Sequence, residues 1–248
     1  MVVSMRLIYE GKAKRVYELD NDTLLLEFKD ELTAFDGLKR DAAPGKGTYA
    51  AALSAFLFKY LEDHGIETHF IEYDGGRMLK VLKVEMIPLE VIVRNYAYGS
   101  QLKRMPLLKP MQKLEPPIVE LHYKSDELRD PLILPEDAIA ANVITDEEWK
   151  LIRDLALKID RLLSDLFAKH DLTLIDLKLE FGRRNGTIYL ADELSGDTFR
   201  IVDREGKHLD KEAYRRGCSP SDLVNNYRKI LEILGIKLEP IKGKKAHA

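Results

Sequence analysis

Leu174-Ile175-Asp176-Leu177-Lys178-Leu179-Glu180-Phe181-Gly182 alternates apolar and charged side chains without a break from Ile175 to Phe181. An extended chain puts Asp176, Lys178 and Glu180 on one face and Ile175, Leu177, Leu179 and Phe181 on the other. The segment therefore predicts a strand with one packed face and one polar face. A solvated edge strand with cross-strand ion pairs has the same pattern, and the residues that follow narrow the reading. Arg184-Asn185-Gly186 is a turn signal, and Thr187-Ile188-Tyr189-Leu190-Ala191-Asp192-Glu193 reads as a returning strand, so the two form a hairpin. A two-residue Asn185-Gly186 loop pairs Lys178 with Glu193. A three-residue loop with Gly186 left-handed pairs Lys178 with Asp192 and sets Glu180 diagonally nearby. Either register brings two carboxylates and an ammonium together. Such a set suits Mg²⁺ held between protein and phosphates, because Mg²⁺ takes hard oxygen ligands and usually only one or two carboxylates.

Length and charge limit what this hairpin belongs to. With 248 residues, 45% of them hydrophobic, the chain buries a substantial core as one large domain or two small ones. A net charge of -3 gives no general attraction to nucleic acid or to an anionic membrane, so basic residues act locally. Lys242-Gly243-Lys244-Lys245 reads as a solvated end. Cys218 is alone, which excludes an internal disulfide and a thiolate cluster. No apolar run reaches the roughly twenty residues of a membrane span, and the first ten residues do not form a signal peptide, so a cytoplasmic protein is expected. Charged residues reach 33% while Gln101 and Gln112 are the only glutamines, a balance that matches a heat-adapted protein.

In chain order, residues 7–10, 11–19 and 23–28 read as a meander of short strands. Lys12 and Lys14 share a face there, and Gly11 permits close backbone approach, as a loop closing over polyphosphate requires; an exposed basic strand has the same pattern. Residues 36–47 are rich in charge and turn formers and lead into a helix over residues 48–63, stopped by Gly65; the GxxxxGK[ST] order of a Walker A loop is absent. Strands are expected near residues 68–72 and 78–84. A buried strand from Ile87 then runs out into Arg94 and the Gly99-Ser100 turn, where a planar guanidinium suits a carboxylate or phosphate. Residues 103–135 hold six of the ten prolines and predict a long irregular connection that carries Lys124 and Asp130. Thr145-Asp146-Glu147-Glu148 is a capping box opening a helix to about His170, and Ser219-Pro220 starts a last helix that Gly235 ends. The six histidines fit no zinc spacing and read as surface or packing residues.

Two long motifs, Pro88-Leu89-Glu90-Val91-Ile92-Val93-Arg94 through Gly99-Ser100 and residues 174–182, resemble those of the SAICAR synthetase family of purine biosynthesis. The resemblance runs from about Gly11 to Gly235 and takes in Gly11-Lys12-Ala13-Lys14-Arg15-Val16-Tyr17, Gly45-Lys46-Gly47, Lys124 with Asp130-Pro131, and Asp192-Glu193 through Arg200. It implies ATP-dependent joining of L-aspartate to carboxyaminoimidazole ribonucleotide (CAIR), giving the succinocarboxamide SAICAR, ADP and phosphate. It implies a two-lobed α+β fold, related to ATP-grasp and kinase-like nucleotide binders and built on antiparallel sheets with flanking helices. Residues 1–86 would form the ATP-binding lobe and residues 87–248 the lobe carrying the ribonucleotide site and the acidic hairpin. By position, Gly11, Lys12, Ala13, Lys14, Val16 and Lys124 look like ATP contacts, Val81, Glu85 and Met86 like the adenine hinge, and Glu180 and Asp192 like Mg²⁺ or ATP ligands. Asp36, Lys46, Arg94, Ser100, Asp130, Asp176, Lys178 and Arg200 look like substrate contacts, with residues 36–46 a mobile loop. Lys14, Lys178, Glu180 and Asp192 are the expected catalytic set. Choosing Asp192 as the partner of Glu180 favours the three-residue hairpin loop. A homodimer or larger homo-oligomer follows from family habit.

Four positions depart from the family pattern: Ala50 and Ala51 replace a common asparagine pair, Tyr98 a small residue, and Val202 a tryptophan. The residues alone leave open a phosphotransferase using the same ATP cleft, or a nucleotide sensor without catalysis. A nucleic-acid binder is opposed by the acidic balance.

Overall fold

The computed structural model describes residues 5–34 and 39–247. Its first sheet is antiparallel, in the order β1 (Arg6–Glu10), β2 (Lys14–Glu18), β3 (Thr23–Phe28), β7 (Met78–Leu82), β6 (Phe70–Tyr73) and β14 (Ile241–Lys242). Between β3 and β6 the chain makes a small ribbon, β4 (Glu31–Ala34) with β5 (Lys39–Ala42), and helix α1 (Lys46–Asp63). The second sheet, also antiparallel, runs β10 (Leu132–Ile133), β9 (Lys113–Tyr123), β8 (Glu85–Tyr96), β11 (Thr173–Arg184) and β12 (Thr187–Ala191), with β13 (Phe199–Val202) also on β11. Helices α2 (Ser100–Arg104), α3 (Pro135–Ala140), α4 (Asp146–Ala168), α5 (Glu212–Arg215) and α6 (Pro220–Leu234) complete the chain. One apolar core joins both sheets, from Leu26 and Phe28 through Leu177 and Leu179 to Leu231. This is the α+β architecture expected of the chain.

The helices start where their caps place them. Thr145 accepts from the Glu148 N–H at 3.1 Å while Glu148 accepts from the Thr145 N–H at 2.9 Å. Ser219 caps α6 in the same way and Gly235 ends it at φ 68. On α4, Ile152, Ile159, Leu163 and Leu166 face the core, and the helix lies across β8, β9 and β11. Ala50 and Ala51 are fully buried inside α1, so these two departures from the family pattern are packing positions.

Three expectations are corrected. Arg184 pairs with Thr187 and Glu180 with Ala191, so the hairpin loop is the two-residue Asn185-Gly186, with φ 49 and 75 as a type I′ turn needs, and not the three-residue loop. The proline-rich stretch contains β9, eleven residues long, which pairs with β8; the ladder shifts register between Arg94 and Tyr96, beside Pro116 and Pro117, which have no N–H to give it. The alternation also breaks at Ile175. A register shift between Leu174 and Asp176 turns Ile175 away from Leu177 and into a separate cluster with Tyr98 and Val202.

One edge of β11 is shared. β12 covers residues 180–184 and β13 covers residues 173–177. Between them the chain leaves the sheet over residues 192–198, and the Lys178 N–H is taken by the Thr198 carbonyl at 2.7 Å. Residues 67–69, which lead into β6, bond across to Leu190: its N–H donates to the Glu67 carbonyl and its carbonyl accepts from the His69 N–H, each at 2.9 Å. The acidic hairpin and the first sheet therefore meet at this point.

Candidate active site

Asp192 is the first residue after β12, at φ 61. In continued extended register it would face Leu179 and the core. The left-handed turn instead swings its carboxylate to Lys14 of β2, with Oδ1 2.7 Å from Nζ. Glu193 reaches the same ammonium at 2.7 Å. The two acids that the alternative hairpin registers kept apart thus both reach Lys14.

Glu180 lies across from this pair. Its Oε1 is 3.1 Å from Lys178 Nζ, and its Oε2 accepts from Lys124. Lys178 also donates to Glu90 of β8 at 2.6 Å. The polar face of β11 is therefore not solvated: Asp176 and Glu180 are 4% and 3% exposed. Three ammoniums, Lys14, Lys124 and Lys178, stand against four carboxylates, Glu90, Glu180, Asp192 and Glu193. Burial opposes every one of these charges. For Lys14, Lys124 and Lys178 the attraction of the acids outweighs it and holds each pKa above the ordinary lysine value. The acids separate: burial and then the charge of Asp192 push Glu180 up, whereas Lys14, Lys178 and Lys124 hold Asp192 well below the usual carboxylate range despite burial. One further cation would satisfy both acids. Among the described residues no three His, Cys, Asp or Glu side chains converge as a self-sufficient metal cage. The carboxylates of Glu180 and Asp192, held between lysines of both sheets, fit Mg²⁺ that takes its remaining ligands from phosphates and water.

Lys12 does not share the face of Lys14. It lies in the loop before β2, and its Nζ meets Asp126 Oδ1 at 2.6 Å, across the cleft in the loop after β9. Gly11 and Ala13 flank it, with the Gly11 N–H donating to the Lys14 carbonyl and the Ala13 carbonyl accepting from the Lys29 N–H, both at 2.8 Å. Asp130, at φ 48, accepts from the Ser125 N–H at 2.8 Å and so shapes the loop that presents Lys124 and Asp126. Val81 is buried in β7, Val16 of β2 packs partly buried against the same core, and Met86 and Glu85 are exposed at the crossing from the first sheet to the second, where Glu85 meets Arg183 at 3.2 Å.

A second charged cluster sits at the other end of β11. Arg94 donates to Asp176 Oδ2 at 2.9 Å, to Ser100 Oγ at 3.2 Å and to Glu120 Oε2 at 2.9 Å. Arg200 donates to the same Asp176 oxygen at 2.7 Å. Against burial, His122 and Arg94 hold the Glu120 carboxyl down at about 2. Lys46 is not on a mobile loop: it is the first residue of α1, 2% exposed, with Nζ 2.5 Å from Asp197. Glu193, Ser195 and Asp197 link it to Lys14, because Glu193 Oε2 accepts from Ser195 Oγ at 2.7 Å and Ser195 Oγ accepts from the Asp197 N–H at 3.1 Å. Asp36 falls outside the described residues. Glu90, Glu120, Asp126 and Asp197 were given no role from the sequence, and Glu193 only that of alternative partner to Lys178. For Glu90 and Glu120 the available signal was an acid inside an otherwise apolar strand.

Fold and site together define an α+β, ATP-grasp-like protein whose lysine-rich cleft faces paired acids. The sequence profile of SAICAR synthetase matches residues 7–233, and the chain belongs to that family. The phosphoribosylaminoimidazole-succinocarboxamide synthase of Caldivirga maquilingensis is 54% identical over 235 residues, 94% of this chain and 97% of its own. A type-2 SAICAR synthetase solved in complex with ADP superposes with a TM-score of 0.87 at 47% identity, covering 92% of this chain and 98% of its own. The synthase of Ehrlichia chaffeensis gives 0.89 at 38% identity, over 93% and 99%.

Proposed function

We infer that the chain is an ATP-dependent ligase that joins L-aspartate to CAIR and releases SAICAR, ADP and phosphate. The observation that carries this reading is the convergence of Lys14, Lys124 and Lys178 on Glu180 and Asp192 in a cleft between two sheets, in a chain 47% identical to a SAICAR synthetase solved with ADP. We propose an N-terminal lobe of residues 1–86, to whose sheet β14 adds a strand from the end of the chain, and a C-terminal lobe of residues 87–248.

A carboxylate is a poor electrophile. The CAIR carboxylate therefore attacks the terminal phosphorus of ATP, ADP leaves, and the acyl phosphate accepts the aspartate amine, which loses a proton as phosphate departs. In phosphoryl transfer, positioning and electrostatics supply most of the catalysis. Lys14, Lys124 and Lys178 each exchange a carboxylate oxygen for a phosphate oxygen as the nucleotide enters, so their charge is preorganised. Lys12 and its partner Asp126 close the cleft from opposite sides. Glu180 and Asp192 would hold Mg²⁺, which when bound offsets phosphate charge. Arg94, Ser100 and Arg200 orient the ribonucleotide, and Asp176 holds the two guanidinium groups in place beforehand. No side chain needs to form a covalent intermediate. The enzyme is read as cytoplasmic and as a homodimer or larger homo-oligomer, and exposed Met105, Leu107, Met111 and Ile118 around α2 and β9 offer apolar surface to a second copy.

Glu180→Gln and Asp192→Asn are each expected to cut turnover by more than about a hundredfold, the scale of losing one strong electrostatic contact. A steady-state assay of SAICAR formation measures this, and near-normal turnover in both removes the mechanism. ADP release that requires L-aspartate in the presence of CAIR separates the ligase from a phosphotransferase.

A further inference from the structure

Tyr98 lies just before the Gly99-Ser100 turn, 8% exposed, and packs against Ile175 and Val202. Its hydroxyl is 3.0 Å from His208 Nε2, and His208 Nδ1 is 2.9 Å from Asp210 Oδ2. Asp210 is fully buried and held by two backbone donors, the Ile201 N–H at 2.9 Å and the Glu212 N–H at 2.7 Å. With His208 donating its Nδ1–H to the Asp210 carboxylate, a neutral ring leaves Nε2 to accept from Tyr98. The Tyr98 oxygen is then left to accept, and Arg216 Nη2 donates to it. Glu212 Oε1, at 3.4 Å, is the poorer acceptor for the phenol. The hydrogen bonds therefore run in one direction, Arg216 to Tyr98 to His208 to Asp210.

The ring of Tyr98 is used as well. The Arg200 guanidinium lies over it with its carbon 5.1 Å from the centroid, and that of Arg216 at 5.6 Å. Arginine over an aromatic face is held by cation–π attraction while its N–H edge turns to other partners: Arg200 donates from Nε to Glu212 at 3.3 Å and from Nη1 to Asp176, and Arg216 Nε lies 3.8 Å from Glu212, which a phosphate oxygen would replace. Gly99, at φ 59, makes room: a Cβ there would stand 3.3 Å from Arg200 Nη2. Arg216 is itself more than half exposed.

We propose that Tyr98 is a positioning residue that presents two guanidinium groups, Arg200 and Arg216, to the phosphate of the ribonucleotide, with His208 and Asp210 fixing its orientation. Arg216 thereby becomes a further substrate-binding residue. The pair selects a phosphorylated ribonucleotide over the corresponding nucleoside, because two cations arranged on one ring match a dianion and a neutral hydroxymethyl group gains nothing from them. The proposal rests on Arg200 being a ribonucleotide contact.

Steady-state kinetics with ATP and ribonucleotide varied separately test it, using Tyr98→Phe, Tyr98→Leu, Arg216→Gln and Arg200→Gln. Arg216→Gln and Tyr98→Leu are expected to raise the ribonucleotide KM about tenfold or more, the effect of one lost charge-assisted contact, with the ATP KM within about twofold. Tyr98→Phe keeps the ring and loses the hydroxyl, so its KM falls between wild type and Tyr98→Leu. The double variant Tyr98→Leu/Arg216→Gln shows less than the product of the single effects. An unchanged ribonucleotide KM in Tyr98→Phe and Arg216→Gln overturns the proposal, as does a parallel rise in the ATP KM, which marks a merely structural role. If Arg200→Gln also leaves the ribonucleotide KM unchanged, the placement of the ribonucleotide itself has failed. A large effect of Arg200→Gln with none from Tyr98 or Arg216 confines the failure to the positioning pair.

Discussion

His69 shows how a single residue is shaped by the junction it occupies. It is 4% exposed, 5.2 Å edge-on from Phe58, and its Nε2 has no hydrogen-bond partner. Burial lowers its pKa to about 3, only partly countered by Asp192 and reinforced by Lys14. A histidine whose folded pKa lies below its unfolded value of about 6.5 gives stability that is complete above that pH and lost as pH falls toward 3, because the unfolded chain takes up a proton the native one excludes. Stability is expected to fall by about 1.4 kcal/mol per pH unit below about pH 6 from this group. Urea midpoints of wild type and His69→Phe at pH 7 and pH 5 check it: the variant loses less on acidification, and equal losses show that His69 charges freely. Neighbouring Asp192 carries its own cost, since a left-handed backbone penalises a residue with a Cβ by roughly 1–2 kcal/mol. No pattern in the sequence marks that turn, which depends on β12 ending where residues 67–69 cross to Leu190.

At the scale of elements, caps and periodicity were legible and pairings were not. Thr145, Ser219 and Gly235 marked helix ends through local hydrogen bonding and backbone freedom, which a few residues decide. The register of the hairpin depended on where the ladder stops, and β9 was hidden because Pro116 and Pro117 break its strand signal although β8 lies just before it in the chain. Helix α4 contains a testable misfit at its contact with β8. Asp160, 4% exposed, accepts from Asn95 at 2.7 Å, yet burial raises its pKa to about 6. For an acid raised in this way, stability is complete below the unfolded pKa of about 3.9 and lost as pH rises through 6. Asp160→Asn keeps the acceptor without the charge and is expected to recover on the order of 2 kcal/mol at pH 7, or about 4–8 °C in Tm. Calorimetry at pH 7 and pH 4 should show the gain only at the higher pH. A gain of equal size at both would mean that the carboxylate is not the cause.

Over the whole molecule, the cleft is lined from both sheets. Lys14 comes from β2, Lys124 from the loop after β9, and Glu180 and Lys178 from β11. A ligand that bridges them stabilises the native state by mass action, about 2.7 kcal/mol at a hundredfold excess over its Kd. Mg²⁺ with ADP at that excess is expected to raise Tm by roughly 5–10 °C in thermal shift. Asp192→Asn should abolish the part of the shift that needs Mg²⁺, and an unchanged shift would remove Asp192 from the proposed metal site. A charged fraction of 33% organised in ion pairs also predicts a Tm above the usual mesophile range of about 45–65 °C.

The sequence by itself determined the polar strand, its hairpin, the helix caps and the family, because each rests on residues close along the chain or on long motifs. Only the tertiary structure decided that the polar face of β11 is buried, that Asp192 and Glu193 both reach Lys14, and that Tyr98 lies under two arginines. Those facts depend on charges brought together from segments more than a hundred residues apart, where burial and Coulomb attraction act between groups that no local pattern relates.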